Sequence, residues 1–381
     1  MIYFDNSATT IPYPEILRTY QDVSNKFFGN PSSLHNLGDK ASRLLAASRK
    51  QIADLLRKEA DEIFFTSGGT ESDNWVLKGI AFEKAHYGKH IIVSDIEHPA
   101  VKESAKWLAD QGFEISYAPV DSRGVVALDQ LANLLRPDTI LVSVMAVNNE
   151  IGSIQPIQAI SELLADRPTI SFHVDAVQAV GKLPISAYLT DRVDLASFSG
   201  HKFHAVRGVG FLYKKVGRRI TPLLTGGGQE KNLRSTTENV AGIAAMAKAL
   251  RLTLDKEAVA LPQIAKMKTI IHDELANYDD ITIFSEVAAD FVPNILTFGI
   301  RGVRGEVLVH AFEEHDIYIS TTSACSSKAG KPAGTLIAMG IPDKVAQTAV
   351  RISLDDDNEM IQIEQFLTVF KQVYARMKKV R

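Results

Sequence analysis

The chain has 381 residues, 45% apolar and 23% charged, with 42 basic against 45 acidic side chains and a formal charge of −3. That is an ordinary globular composition, long enough for roughly two to three domains, and its charge is too small to hold a nucleic-acid backbone or an anionic membrane. A single cysteine, Cys325, excludes an internal disulfide and a thiolate metal cage, and no metal site is expected.

The opening stretch lacks the basic and apolar regions of a secretory signal, and no window approaches a membrane span. A cytoplasmic enzyme is therefore expected. After the apolar run 63–65, a helix is predicted to about residue 84. From 91 onward, short β-rich runs alternate with helical spacing. Strands are predicted at 91–94, 113–119, 140–144, 170–174, 194–198 and 209–213, with helices at 101–111, 128–135 and 155–165. This alternation predicts an α/β fold around a mostly parallel sheet with both faces covered.

The character changes after Gly226-Gly-Gly228. A long helical stretch, 239–278, is expected to be interrupted at Pro262. Strands at 281–284, 294–298 and 317–320, and helices at 306–314 and 357–377, read as a smaller α+β unit. The boundaries drawn are 13–255 for the large domain, and 1–12 with 256–381 for the small one. The basic end, Lys378 to Arg381, reads as a solvated helix terminus.

Polar residues concentrate at predicted strand ends, where open α/β sheets bind ligands. Thr66-Ser-Gly-Gly-Thr70-Glu-Ser72 opens a helix. Its glycines, Gly69 among them, allow a tight turn, Thr70 is placed to cap the helix, and the free N–H groups suit a phosphate. His98 follows a strand and suits proton transfer, ring stacking or a structural role. Asn149 lies in a polar turn after 140–144. Asp175 ends a buried run, where a carboxylate needs a cation, a hydrogen bond or a helix to cap. Lys202 follows Phe198 and Ser199, a setting for a surface lysine or for a Schiff base. Asp175 and Lys202 lie 27 residues apart on successive strand ends. An acid and an amine so placed suit the two ends of a flat heterocycle, and pyridoxal phosphate needs both plus a phosphate cup.

Eight segments in order carry a resemblance along nearly the whole chain. They are Asp5-Asn-Ser-Ala-Thr-Thr10, Gly29-Asn-Pro-Ser-Ser-Leu-His35, Thr66 to Ser72, Glu97-His98, Val147-Asn-Asn-Glu-Ile-Gly152, His173-Val-Asp-Ala-Val-Gln178, Ser199-Gly-His-Lys202 and Ser323-Ala-Cys325. The sequence resembles the cysteine desulfurases of the NifS/IscS type, within the class V aminotransferase group of fold-type I pyridoxal-phosphate enzymes. The resemblance implies a large domain with a mixed, mostly parallel sheet and a small α+β domain carrying a cysteine loop at about 320–335.

Roles follow from the resemblance position by position. Lys202 resembles the cofactor-binding lysine and Asp175 the partner of the pyridine nitrogen. His98 resembles the histidine stacked on the ring, while Gln178 and Asn149 match positions near its phenolic oxygen. Gly69, Thr70, Ser199 and His201 match the phosphate cup, and Thr237 a threonine that reaches the phosphate in the neighbouring subunit of a homodimer. Arg351 resembles the clamp on the substrate carboxylate, with Asn30 and Asn149 nearby. Cys325 resembles the nucleophile that takes sulfur from L-cysteine as a persulfide, leaving alanine. The sulfur would then pass to an acceptor protein of iron–sulfur assembly or tRNA thiolation, without direct nucleic-acid binding. A selenocysteine lyase or another class V activity is the alternative.

Three segments depart from the family pattern. The usual Gly-Pro-Lys-Gly after the lysine is replaced by Phe203-His204-Ala-Val-Arg207-Gly208. Arg-Ser-Gly-Thr appears as Arg234-Ser-Thr-Thr237. The Ser-Leu-Gly-Arg after Arg351 becomes Ser353-Leu-Asp355-Asp356-Asp357.

Overall fold

The computed structural model describes residues 1–322 and 334–380. Seven strands form its main sheet, in the order Ile63–Thr66, Gly210–Lys214, Leu195–Ser199, Ser171–Asp175, Thr139–Ser143, His90–Ser94 and Glu114–Ala118. The last five are mutually parallel, and Gly210–Lys214 runs antiparallel to both its neighbours. The expected mixed, mostly parallel α/β sheet is present.

Six of these strands are buried at every position, whereas the edge strand Glu114–Ala118 is largely open on one flank. Successive side chains serve opposite faces. Ile92 joins one apolar core with Val142, Phe172 and Val174. Ile91 and Val93 join another with Leu141, Leu195 and Trp75. Unbroken apolar runs are what a sheet covered on both faces requires.

A smaller antiparallel sheet has the order Ser320–Thr321, Ala349–Ser353, Ile295–Ile300 and Ile281–Ile283. It shares a core with Phe312, Phe366 and Phe370. The single strand expected at 317–320 is split. Ile317–Tyr318 pairs with the N-terminal Ile2–Tyr3, and Ser320–Thr321 pairs with Ala349–Ser353.

Pro262 does not interrupt the long helix, which runs unbroken from Val240 to Leu275. Asn239 caps it by accepting from the Gly242 N–H at 3.0 Å. Proline removes one intrahelical bond, but here it lies on an exposed stretch between two anchored ends. Residues 243–250 include core positions of the large sheet, and Ile264, Met267, Ile271 and Leu275 pack with the small one. That burial at both ends outweighs the local defect.

The chain passes from His90–Ser94 outward to Glu114–Ala118, then crosses back to Thr139–Ser143 on the opposite flank. Strand order reverses there, so a crevice opens beyond the carboxyl ends of these strands.

Candidate active site

A cleft of about 610 Å³ occupies this crevice. Ten of the residues singled out from sequence line it: Gly69, Thr70, His98, Asn149, Asp175, Gln178, Ser199, His201, Lys202 and Arg351. Most enter from the end of a strand, the start of a helix or the turn that follows a strand. Asp175 closes its strand, and Lys202 ends the short turn Gly200–Lys202 after Ser199. His98 precedes the helix Pro99–Asp110, and Arg351 is central in Ala349–Ser353.

The helix Gly69–Lys84 has Gly68, not Thr70, at its cap. The chain turns into the helix earlier than expected, which places Thr70 in the first turn, where N–H groups lack intrahelical partners. Glycine is needed at the entrance. A Cβ on Gly69 would come within 2.7 Å of Val177, and one on Gly210 within 2.6 Å of the Gly68 backbone.

Lys202 Nζ donates to the carbonyls of Ser7 and Ala8, the latter at 2.8 Å. Asp175 accepts from the Val177 N–H at 2.9 Å. Burial pushes its carboxyl up to about 6, with the Lys202 charge and the Val177 bond opposing. His98 Nδ1 accepts from the Ala100 N–H at 3.1 Å, which leaves the ring neutral with Nε2 as its N–H. Burial and the Lys202 charge hold its pKa down to about 4, and His201 is held down in the same way. Gln178 donates to the Ser7 carbonyl and accepts from Lys182 Nζ at 2.8 Å.

Arg351 is 3% exposed. Its Nη1 donates to the Asn149 carbonyl at 2.7 Å and its Nη2 to Asp5 Oδ1 at 2.9 Å. Its Nε has no hydrogen-bond partner among the described residues. A buried donor without an acceptor is an unmet hydrogen-bond demand, and Arg351 lines the cleft.

Acids with no role assigned from sequence lie at or beside the site, among them Asp5, Asp73 and Glu97. Asp5 pairs with Arg351. Asp73 is fully buried, 3.7 Å from His173, and burial with the Asp175 charge drives its pKa up. Glu97 accepts from Ser94 and from the Met145 N–H, while its Oε2 has no partner among the described residues. Their burial is tertiary, and no local spacing announces it.

Burial pushes Glu97 up to about 8, so the folded chain keeps a proton that the unfolded chain releases near its ordinary 4.5. Stability from that proton is fully present below about 4.5 and lost as pH rises through about 8. Glu97→Gln, neutral throughout, should gain in melting temperature over the parent across that interval and no further above it. A pH series of thermal melts checks this, and a gap that does not vary with pH contradicts it.

Two expected residues are not brought to the cleft within one chain. Thr237 lines a separate groove with Arg234 and Glu238. Asn30 lies on an exposed loop, where its Oδ1 accepts from the Ser32 N–H at 2.9 Å. Cys325 and most of the expected 320–335 loop lie outside the described residues. Thr322, the last described residue before them, lines the cleft.

The donors around the cleft fit pyridoxal phosphate. An amine and a carboxylate suit its aldehyde and ring nitrogen, a glycine-opened helix start suits its phosphate, and the orphaned Arg351 Nε suits a substrate carboxylate. Fold and cleft together define the architecture of fold-type I pyridoxal-phosphate transferases.

The chain belongs to the class-V aminotransferase family, whose model matches residues 2–366. It is 54% identical over 380 residues to a NifS/IcsS protein homolog of Lactobacillus delbrueckii subsp. bulgaricus, covering 100% of this chain and 99% of that one. It is 40% identical over 380 residues to a cysteine desulfurase IscS of Methanosarcina thermophila, covering 100% and 93%. A solved NifS-like protein superposes with a TM-score of 0.92 at 38% identity, covering 98% of this chain and 99% of its own. The family depends on pyridoxal phosphate.

Proposed function

We propose that this chain is a pyridoxal-phosphate-dependent cysteine desulfurase, which moves the sulfur of L-cysteine to Cys325 as a persulfide and releases L-alanine. The observation that carries the reading is the meeting of Lys202, Asp175, His98 and Arg351 around one cleft, in a chain similar to a cysteine desulfurase along its whole length.

When bound, the cofactor supplies an electron sink for the substrate's α-carbon. Asp175 would hold the ring nitrogen, His98 would lie against the ring face, and Gln178 and Asn149 would meet the phenolic oxygen. Gly69, Thr70, Ser199 and His201 would cup the phosphate. Arg351, fixed by Asp5, holds the substrate carboxylate through its guanidinium fork. Lys202 Nζ holds the proton taken from the α-carbon. The Cys325 thiolate attacks the substrate sulfur, so one S–S bond forms as one C–S bond breaks, and a proton delivered to the former thiol carbon completes alanine.

Thr237, in its own groove, is assigned to the cofactor phosphate of a second copy, and Asn30 to the region of the clamp. The reading includes a homodimer in the cytoplasm and a sulfur-acceptor protein of iron–sulfur assembly or tRNA thiolation. It also includes a large domain at 13–255 and a small one at 1–12 and 256–381. Among the described residues no helix is long and apolar enough to cross a membrane.

The test is mass spectrometry of Cys325 after incubation with L-cysteine. One added sulfur atom, removed by a thiol, is expected. Full turnover with Cys325 unmodified, or in Cys325→Ala, sinks the mechanism.

A further inference from the structure

Two departures from the family pattern, 151 residues apart in sequence, meet in space. His204 lies two residues beyond Lys202, and Asp355 and Asp356 lie four and five beyond Arg351. His204 Nε2 is 3.0 Å from Asp355 Oδ1 and 3.2 Å from Asp356 Oδ1. Its Nδ1 donates to the Ile11 carbonyl at 2.8 Å. Both ring nitrogens therefore face acceptors, which only the doubly protonated imidazolium satisfies. Burial opposes that charge, but the hydrogen bonds and charges of the two aspartates outweigh it and push the pKa up to about 10.

The cluster is larger than an ion pair. Tyr13 stacks on the imidazole at 3.9 Å between centroids, 7° from parallel, and its hydroxyl donates to Asp356 at 2.9 Å. Lys256, on the long helix, sits 3.8 Å over the Tyr13 ring and donates to Asp356 Oδ2 at 2.7 Å. Two cations thus balance two carboxylates. His204, Asp355 and Asp356 lie close enough together to share an ion, but Lys256 and the imidazolium already supply the positive charge.

The backbone also needs holding. His204 has φ +63°, a left-handed conformation that costs a bulky residue free energy unless its surroundings impose it. Its N–H donates to Thr10 Oγ1 at 2.8 Å, and the ring is clamped on both edges. Four segments are pinned at this point: the N-terminal segment, the turn after Lys202, the strand end after Arg351 and the long helix.

We propose that His204, Asp355 and Asp356 form an ion-paired brace that sets the distance between Lys202 Nζ and the Arg351 guanidinium, and so act as positioning residues for a substrate carboxylate. The inference rests on the reading of Arg351 given above. The turn that carries the amine and the strand that carries the guanidinium belong to different sheets, and the brace joins the two just outside the cleft. A guanidinium fork held at the wrong place meets a carboxylate poorly, which weakens binding. The brace also makes chemical sense of the departures, because an imidazolium on one element calls for carboxylates on the other.

The test compares His204→Gln, Asp356→Asn and the double variant His204→Gln/Asp355→Asn as holoenzymes. Two quantities are read. One is the KM and kcat for L-cysteine, and the other is calorimetric binding of 3-mercaptopropionate, which has the carboxylate but no amine to react. The two single variants are expected to raise KM and the probe's Kd by about tenfold with kcat within about threefold. The double variant, which restores neutrality, is expected to recover most of the loss, as coupled neighbours do. A lower melting temperature with KM and Kd unchanged would show a purely structural cluster and overturn the proposal. So would a double variant no better than His204→Gln. Asp356→Asn keeps the size and shape of the side chain, so it decides the matter if His204→Gln does not fold. Arg351→Ala separates the two claims. If it weakens the probe while the brace variants do not, the clamp stands and the brace fails. If it does not weaken the probe, the clamp reading itself fails.

Discussion

Lys202→Ala is expected to lower alanine formation from L-cysteine by about 10²- to 10⁴-fold, the range for loss of a positioned proton-transfer group. The amine is fixed by the carbonyls of Ser7 and Ala8 at the floor of the cleft. Its removal leaves the cleft, Asp175 and His98 in place, so the loss belongs to chemistry rather than to folding. Lys202→Arg should fare no better. It keeps the positive charge but cannot shed a proton at working pH, and so cannot serve as base. Steady-state alanine production with a thermal melt of each variant checks both. A variant that keeps more than about a tenth of the parent rate while folding normally would remove Lys202 from the reaction.

Arg351→Ala is expected to raise KM for L-cysteine by about 10²-fold, since hydrogen bonds to charged groups contribute about 1.5–3 kcal/mol. The same change strips half-buried Asp5 of its ion-pair partner. Burial already raises that carboxyl's pKa, with Arg351 opposing. Without the guanidinium, the pKa of Asp5 should rise further, and the melting temperature should fall as well. Arg351→Lys restores the charge but not the fork, and should recover only part of the affinity. Saturation kinetics on the three proteins decide. A KM unchanged in Arg351→Ala would mean that the carboxylate is held elsewhere.

The site was legible from sequence where chemistry sits beside strand ends. Asp175, Ser199, Lys202 and His98 each follow an apolar run closely enough for local pattern to place them at the mouth of the sheet. Gly68 and Gly69 were legible for the same reason, though the helix they open begins before Thr70. The helices Pro14–Lys26 and Asn36–Leu56 went unread. Their core positions, Ile16 and Val23 in one and Ala41, Leu45, Ile52 and Leu56 in the other, recur at helical spacing. Pro262 misled because a local rule was applied where packing at both helix ends decides the outcome.

By itself the sequence determined the alternation of strands and helices, the identity of the reactive side chains and their order along the chain. Those follow from period, propensity and residue chemistry, which are local. Only the tertiary structure decided that Arg351 is anchored by Asp5, that Glu97 and Asp73 are buried acids beside Asp175, and that His204 is answered by Asp355 and Asp356. Each of these is a contact between segments far apart in sequence. Charge, burial and protonation depend on what surrounds a group within a few ångströms, and in this chain the surrounding residues come from other strands and from the opposite terminus.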